Sequence, residues 1–349
     1  MPDDLLESYI AQHIEASPSN TVYFSWHGGE PTTLGVGYFR RIVDLQHRYC
    51  RAGERIVNGI QTNGTLLDEG WCTFLAENGF YVGVSIDGPE DIHDEYRCTK
   101  DGGPTHEDVV RGYDLLQRHG VQPEILCVVN TRSAKDSLRV YRYFKWLGAR
   151  NITFLPLVEP QPGTKLRVTP RSVPPEAWGC FLCTIFDEWV NEDIGMVKVQ
   201  IFEEALRTAF GQEHSLCIFR PTCGDVPVLE HNGDFYSCDH FVDGGHLLGN
   251  LRDTRLIDLV EDPRLKGFGE AKHRGLPRLC GECPVKDMCN GECPKNRFET
   301  TPDGEPGLNY LCEGYRRFFT HCRPFVSEVA RVWEMQNRSS RSSTSRRRT

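Results

Sequence analysis

The feature that most constrains this chain is a series of eight cysteines between Cys217 and Cys312. Cys217, Cys223 and Cys238 come first. Cys280, Cys283, Cys289 and Cys293 follow as C-x2-C-x5-C-x3-C, and Cys312 closes the series. Eight thiolates suffice for two tetrahedral sulfur sites, of zinc or of iron–sulfur clusters. The peptide around them is short, polar and rich in Gly and Pro, as in Cys283-Pro284-Val285-Lys286-Asp287-Met288-Cys289. A segment of that composition buries little apolar surface, so bound metal must supply part of its folding free energy. The clustered short spacings favour metal ligands over a disulfide framework, and iron–sulfur is preferred to zinc.

The whole chain sets the context for that region. Its 349 residues suggest about two domains, and 39% hydrophobic residues can build a substantial core. A formal charge of −9 argues against a general nucleic-acid binder. The opening Met1-Pro2-Asp3-Asp4-Leu5-Leu6 is acidic and amphipathic and lacks the basic start of a signal peptide. No apolar run reaches the roughly 20 residues of a membrane span. Fifteen cysteines without a secretion signal point to a reducing, cytoplasmic setting, with the seven outside the series read as small core residues.

Ahead of the cysteines, strand and helix patterns alternate. A helix is expected over 3–16, where Leu5, Leu6, Tyr9, Ile10 and Ile14 recur at helical spacing. Strands follow near 22–26, 55–61, 80–86, 123–130, 151–157 and 197–201. Helices lie between them near 36–49, 67–78, 105–119, 134–147 and 176–191, with one more after the last strand. A Pro-rich insertion occupies 158–175. Alternation with apolar strand centres means a parallel sheet with crossover helices, and its polar and glycine motifs sit at strand C-terminal ends, where such folds bind ligands. Near residue 212 the alternation stops. Val228 to Cys238 reads as a hairpin turning at Asn232-Gly233. The segment from Asn337 to Thr349 is basic, of low complexity and expected to be disordered.

Two strand ends carry candidate chemistry. In His27-Gly28-Gly29-Glu30-Pro31 the glycines admit a ligand close to the backbone and Glu30 offers a carboxylate, although a tight strand–helix turn explains the same residues. In Ser85-Ile86-Asp87-Gly88-Pro89, with Arg97 downstream, a hydroxyl and a guanidinium could hold a ribose and a carboxylate.

Taken in order, Gly28-Gly29-Glu30-Pro31, Gln61-Thr62-Asn63-Gly64, Ser85-Ile86-Asp87-Gly88-Pro89 and the two-part cysteine series resemble a radical S-adenosylmethionine (SAM) enzyme with a C-terminal SPASM, or twitch-type, domain. Within that group the chain is most similar to the anaerobic sulfatase-maturating enzymes. Cys238-Asp239-His240-Phe241, Leu248-Gly249-Asn250, Cys289-Asn290-Gly291-Glu292-Cys293-Pro294-Lys295 and Leu308-Asn309-Tyr310-Leu311-Cys312 share the resemblance, which covers about residues 1–325.

The resemblance implies an α/β fold: a partial (β/α)6 radical SAM barrel lacking its first strand, over 1–211, then a small Cys-rich iron–sulfur SPASM domain over 212–325. A helix end and the basic tail fill 326–349. It implies two auxiliary 4Fe-4S clusters, one held by Cys217, Cys223, Cys238 and Cys293, the other by Cys280, Cys283, Cys289 and Cys312. Gly29, Ser85, Arg97 and Val158 would line the SAM pocket, Val158 by position only. Asp239 would be the general base, whereas the residues alone suggest a carboxylate making a turn hydrogen bond. The implied reaction cleaves SAM to a 5′-deoxyadenosyl radical, which takes a hydrogen from the β-carbon of a Cys or Ser in an unfolded sulfatase polypeptide. Asp239 removes the thiol or hydroxyl proton, the second electron leaves through the auxiliary clusters, and formylglycine results. A reductant such as flavodoxin or ferredoxin would supply electrons; no nucleic acid or membrane is implied.

One departure is plain. The family's radical cluster is held by C-x3-C-x2-C after its first strand, and no such triplet occurs in these 349 residues. Cys180 and Cys183 form a C-x2-C, but within a helical pattern whose spacing suits a core face. The expectation is therefore an N-terminally truncated maturase that, as it stands, does not initiate radical chemistry. The other readings are a SPASM-type maturase forming thioether crosslinks and a non-catalytic electron-transfer or zinc-binding protein.

Overall fold

The computed structural model describes residues 1–161, 163 and 168–345, with side chains to Asn337. Part of the expected Pro-rich insertion (162 and 164–167) and the end of the basic tail (346–349) lie outside the described residues.

Six strands form one sheet in sequence order: β1 (Thr21–Trp26), β2 (Arg55–Thr62), β3 (Tyr81–Ser85), β4 (Glu124–Val129), β5 (Asn151–Pro156) and β6 (Lys198–Val199). Pairing from β1 to β4 is parallel. The strands form where apolar residues alternate inward, as in β4, where Ile125, Cys127 and Val129 are buried. Between them run α1 (Asp3–Ala16, ahead of β1), α2 (Gly35–Tyr49), α3 (Glu69–Glu77), the short α4 (Glu90–His93), α5 (His106–Arg118), α6 (Ser137–Trp146), α7 (Pro175–Glu192) and, after β6, α8 (Gln200–Ala209). Asp68 sets the start of α3, its carboxylate accepting the Trp71 N–H at 2.8 Å.

This is the α/β sheet that the alternation predicts, with one shift. The last strand is expected over 197–201, yet only Lys198 and Val199 are extended and Gln200 begins α8. Ile201, Phe202 and Ala205 are buried together at helical spacing, so packing of that face decides the conformation.

The chain divides into two compact units. The first comprises 1–128, 139–155 and 224–271. Besides most of the sheet, it contains the antiparallel strands β7 (Val228–Leu229), β8 (Asp234–Tyr236) and β9 (Leu247–Asn250), followed by α9 (Leu256–Val260). The expected hairpin is present, but only Gly233 in its turn is left-handed, at φ 96°. Gly233 N–H bonds Glu230 O and Glu230 N–H bonds Asp234 O, the pattern of a type I turn closed by a bulged glycine. Leu5 of α1 packs into a cluster with Phe235, Leu248, Leu251, Leu256, Leu259 and Leu265. Arg252 donates to Asp4 at 2.8 Å, and Gln12 accepts the Leu256 N–H at 2.7 Å. The N-terminal helix thus shares a core with residues more than two hundred positions away.

The second unit comprises 129–138, 156–223 and 272–349. Here α7 and α8 pack against α13 (Cys312–Ser345) through the rings of Phe186, Trp189, Phe202 and Phe318. Helix α13 reaches into the segment for which disorder is expected. Short helices at Pro263–Arg274 (α10), Arg278–Gly281 (α11) and Lys286–Cys289 (α12) precede α13, α10 running from the first unit into the second. Helices α11 and α12 are four residues each, too short to show a helical period, and α10 offers few large apolar residues besides Leu265 and Phe268.

Candidate cofactor sites

Four of the cysteines surround one cavity in the second unit. Cys280 sits in α11, Cys283 follows it, Cys289 ends α12 and Cys312 begins α13. Together with Val285 and Tyr315 they line a space of about 220 Å³. Burial, reinforced by Cys280 and Cys283, pushes the Cys312 thiol up to about 11. Burial also raises the Cys280 and Cys289 thiols. Thiols this reluctant to ionise become ligands only when a bound cation replaces their protons. The cavity and its four thiols could hold a metal centre or an iron–sulfur cluster. The fifteen cysteines form no disulfide.

Of the other four, Cys217, Cys223 and Cys293 belong to the second unit and Cys238 to the first. Cys217 opens a single 3-10 turn, Cys217–Phe219. The buried Lys272 ammonium donates to the carbonyls of Cys217 (2.6 Å) and Ile218 (2.8 Å), and Asn290 Nδ2 donates to Phe219 O (2.7 Å). Upstream, the buried Glu204 carboxylate accepts the N–H groups of Ser215 (3.1 Å) and Leu216 (3.2 Å) and the Ser215 hydroxyl. It also pairs with His214 Nδ1 at 2.9 Å. These bonds fix the course of the backbone into Cys217.

In the first unit Cys238 starts a turn, with Phe241 N–H bonded to Cys238 O at 3.0 Å. Asp239 is exposed at the second position of that turn, and the Cys238 thiol donates to its Oδ1 at 3.2 Å. An exposed carboxylate beside a candidate ligand can take a proton from an arriving peptide.

Three residues of the expected SAM pocket also lie in the first unit. Gly29 follows β1, Ser85 ends β3, and Arg97 lies just beyond α4. Parallel pairing brings the C-terminal ends of β1, β2 and β3 to one sheet edge. Gly29 is exposed, and a Cβ there would meet nothing within 4 Å, so the backbone is open to a ligand. The Ser85 hydroxyl accepts from Gln61 Nε2 at 3.2 Å. Arg97 grips the buried Asp87 through Nε (2.6 Å) and Nη2 (3.1 Å), and Val128 N–H donates to the same carboxylate at 2.7 Å. Behind it, His93 Nδ1 accepts the Asp87 N–H at 3.3 Å. Burial and the Arg97 charge push His93 down to about 3, so the imidazole is neutral. Arg97 therefore has a fixed fork with its remaining N–H groups available. Val158 is buried in the second unit, in the loop after β5.

Glu30 does not point outward as a spare carboxylate. It accepts Thr32 N–H (3.0 Å), Thr32 Oγ1 (2.5 Å), Thr62 Oγ1 (2.7 Å) and Asn63 N–H (2.7 Å). Sequence reasoning also passed over Glu204, His214, Lys272 and Arg297, which brace the cysteine loops. Nothing local marks them: Glu204 and His214 are ten residues apart, and Lys272 opens an ordinary basic run, Lys272-His273-Arg274.

A family model described as the radical SAM superfamily matches residues 2–132, and one described as SPASM, iron–sulfur cluster-binding domain, matches 217–284. A serine-type anaerobic sulfatase-maturating enzyme of Bacteroides thetaiotaomicron is 44% identical over 339 residues, covering 93% of this chain and 82% of the relative. A cysteine-type anaerobic sulfatase-maturating enzyme of Clostridium perfringens is 32% identical over 332 residues, covering 95% and 89%. The solved structure of native anSMEcpe with bound AdoMet and Cp18Cys peptide superposes with a TM-score of 0.87 at 32% identity, covering 95% of this chain and 91% of that one.

Proposed function

The chain belongs to the anaerobic sulfatase-maturating enzymes of the radical SAM superfamily, and on that premise we propose that it oxidises an active-site Cys or Ser of an unfolded sulfatase polypeptide to formylglycine. The observation that carries this is identity of 44% across nearly the whole chain to a serine-type maturase. The cavity lined by Cys280, Cys283, Cys289 and Cys312 supplies a place for the iron–sulfur chemistry. Bound SAM and iron–sulfur clusters would supply reductive SAM cleavage, hydrogen abstraction from the substrate and electron acceptance.

The chain's own residues do the rest. Cys280, Cys283, Cys289 and Cys312 hold one auxiliary 4Fe-4S cluster; Cys217, Cys223, Cys238 and Cys293 hold the other. The open backbone at Gly29, the Ser85 hydroxyl, the Arg97 guanidinium and the Val158 side chain receive SAM. Because Asp87 and neutral His93 already fix Arg97, little side-chain entropy is lost when it meets a carboxylate. Asp239 accepts the proton of the substrate thiol or hydroxyl. Flavodoxin or ferredoxin is the proposed reductant and the cytoplasm the proposed location. No described helix is long and apolar enough to cross a membrane.

The test is anaerobic incubation with SAM, dithionite and sulfatase peptides carrying Cys or Ser at the target position. A chain with a C-x3-C-x2-C triplet ahead of α1 is expected to form 5′-deoxyadenosine and formylglycine. The 349 residues alone, which contain no such triplet, are expected to form neither. Crosslinked peptide in place of formylglycine would overturn the substrate reading.

A further inference from the structure

One ligand candidate of each cysteine set lies on a single short loop, Cys289-Asn290-Gly291-Glu292-Cys293. Its three inner residues are all left-handed, with φ 46° at Asn290, 73° at Gly291 and 53° at Glu292. For Glu292 that conformation is unfavourable, so other groups must hold the loop. Arg297 does so. Its Nε donates to Gly291 O at 2.8 Å, its Nη2 to Asn290 O at 3.0 Å and Glu292 O at 2.9 Å, and its Nη1 to Lys272 O at 2.5 Å. A Cβ on Gly291 would stand 2.7 Å from that Nη2, so the guanidinium is seated directly on the loop.

The bonds of Arg297 go to carbonyls rather than to a carboxylate. The buried Glu292 carboxylate makes its own hydrogen bonds to Asn309 Nδ2 at 2.5 Å and Asn296 Nδ2 at 3.2 Å. Burial works against the Arg297 charge, whereas Cys280, Glu292, Cys289 and Cys293 favour it, so thiols from both sets lie within its electrostatic reach. A fixed cation in a weakly polarisable interior stabilises any neighbouring site that gains an electron.

We propose that Arg297 is a positioning residue shared by the two cluster sites: it holds the loop that carries Cys289 and Cys293, and its buried positive charge favours the reduced state of both clusters. The inference rests on reading the eight cysteines as ligands of two iron–sulfur clusters. It makes Arg297 the element that keeps both auxiliary sites able to accept an electron leaving the substrate peptide.

The experiment uses the full chain, reconstituted anaerobically with iron and sulfide, as wild type, Arg297→Lys and Arg297→Gln. Iron content is measured first, then the reduction potential of each cluster by spectroelectrochemical titration read by visible absorption and electron paramagnetic resonance. In Arg297→Gln both potentials are expected to move to more negative values. In Arg297→Lys, which keeps the charge, both stay closer to wild type. If Arg297→Gln assembles no clusters, Arg297→Lys decides: clusters at near wild-type potentials support the proposal, and failure to assemble overturns it. Unchanged potentials in Arg297→Gln, or a shift of one cluster alone, also overturn it while leaving the cluster reading intact. A wild-type chain that takes up no iron removes the cluster reading, and the inference with it.

Discussion

The hydroxyl of Thr62 donates to Glu30 Oε1 at 2.7 Å, joining the turn after β1 to the turn after β2. The same carboxylate takes the Asn63 N–H and both donors of Thr32. Parallel pairing of β1 and β2 sets Gly28-Gly29-Glu30-Pro31 and Gln61-Thr62-Asn63-Gly64 side by side, and one side chain bridges them. Glu30, the neighbour of Gly29, is thereby anchored at the sheet edge.

Removing the bridge is the first prediction. Glu30→Ala leaves the Thr62 hydroxyl and the Asn63 N–H without their acceptor and should cost about 1–3 kcal/mol of stability. SAM should also bind more weakly, because the turn carrying Gly29 loses its anchor. Anaerobic thermal denaturation and equilibrium dialysis with labelled SAM measure the two effects. Unchanged stability would show that the four hydrogen bonds are replaced by water at no cost.

The second prediction concerns metal content. Two sets of four cysteines should take up about eight irons per chain, with matching sulfide. Cys312→Ala, at the four-cysteine cavity, should lower iron by about half, to about four. Iron, sulfide and zinc assays with visible absorption settle the matter. A colourless protein with two zincs would overturn the iron–sulfur reading.

Asp239→Asn gives the third. In a chain competent for SAM cleavage, the variant should still make 5′-deoxyadenosine but form formylglycine about 100- to 10,000-fold more slowly, the usual contribution of a general base. Asn is itself a good turn former, so the Cys238–Phe241 turn should persist and iron content should hold. Normal formylglycine yield with full clusters would reduce Asp239 to a turn residue.

The fourth uses pH. Burial alone would lower His214, but its bonds to Glu204 and to the Asp287 carbonyl outweigh this and raise it above its ordinary 6.5. Burial alone would raise Glu204, but His214, Ser215 and Leu216 outweigh it and lower it below 4.5. A raised histidine contributes fully below about pH 6.5 and loses its contribution as pH climbs through the folded value. A depressed carboxylate contributes above about pH 4.5 and loses it as pH falls through the folded value. The pair therefore stabilises most between those limits. Wild-type thermal stability should fall from pH 6 to pH 8 more steeply than that of His214→Gln. Glu204→Gln should cost about 3 kcal/mol or more at pH 6, because it strips a buried pair of one partner. Parallel pH profiles for wild type and His214→Gln would refute the linkage.

Much of the fold was legible because its signals are local. Leu5, Leu6, Ile10 and Ile14 declare α1 by spacing, and all four are buried. Val22 and Phe24 alternate inward in β1. The strand at 197–201 was over-read, because β-branched residues there serve a helix face once Ile201 and Phe202 are packed. Glu30 was visible as a carboxylate beside two glycines, but its partners Thr62 and Asn63 lie more than thirty residues on, where nothing adjacent to Glu30 announces them.

By itself the sequence determined the α/β class, the sulfur-rich second region and the position of the candidate motifs at strand ends. These depend on periodicity, glycine placement and cysteine spacing, which act over a few residues and survive without knowledge of neighbours. Only tertiary structure shows the cavity itself, a space of about 220 Å³ that Val285 and Tyr315 line together with Cys280, Cys283, Cys289 and Cys312. It also decided that α1 shares a core with β8 and β9, and that Arg297 sits on the loop between Cys289 and Cys293. Such contacts form when burial of apolar surface folds distant segments together and leaves buried polar groups to find whichever partners packing has brought within reach.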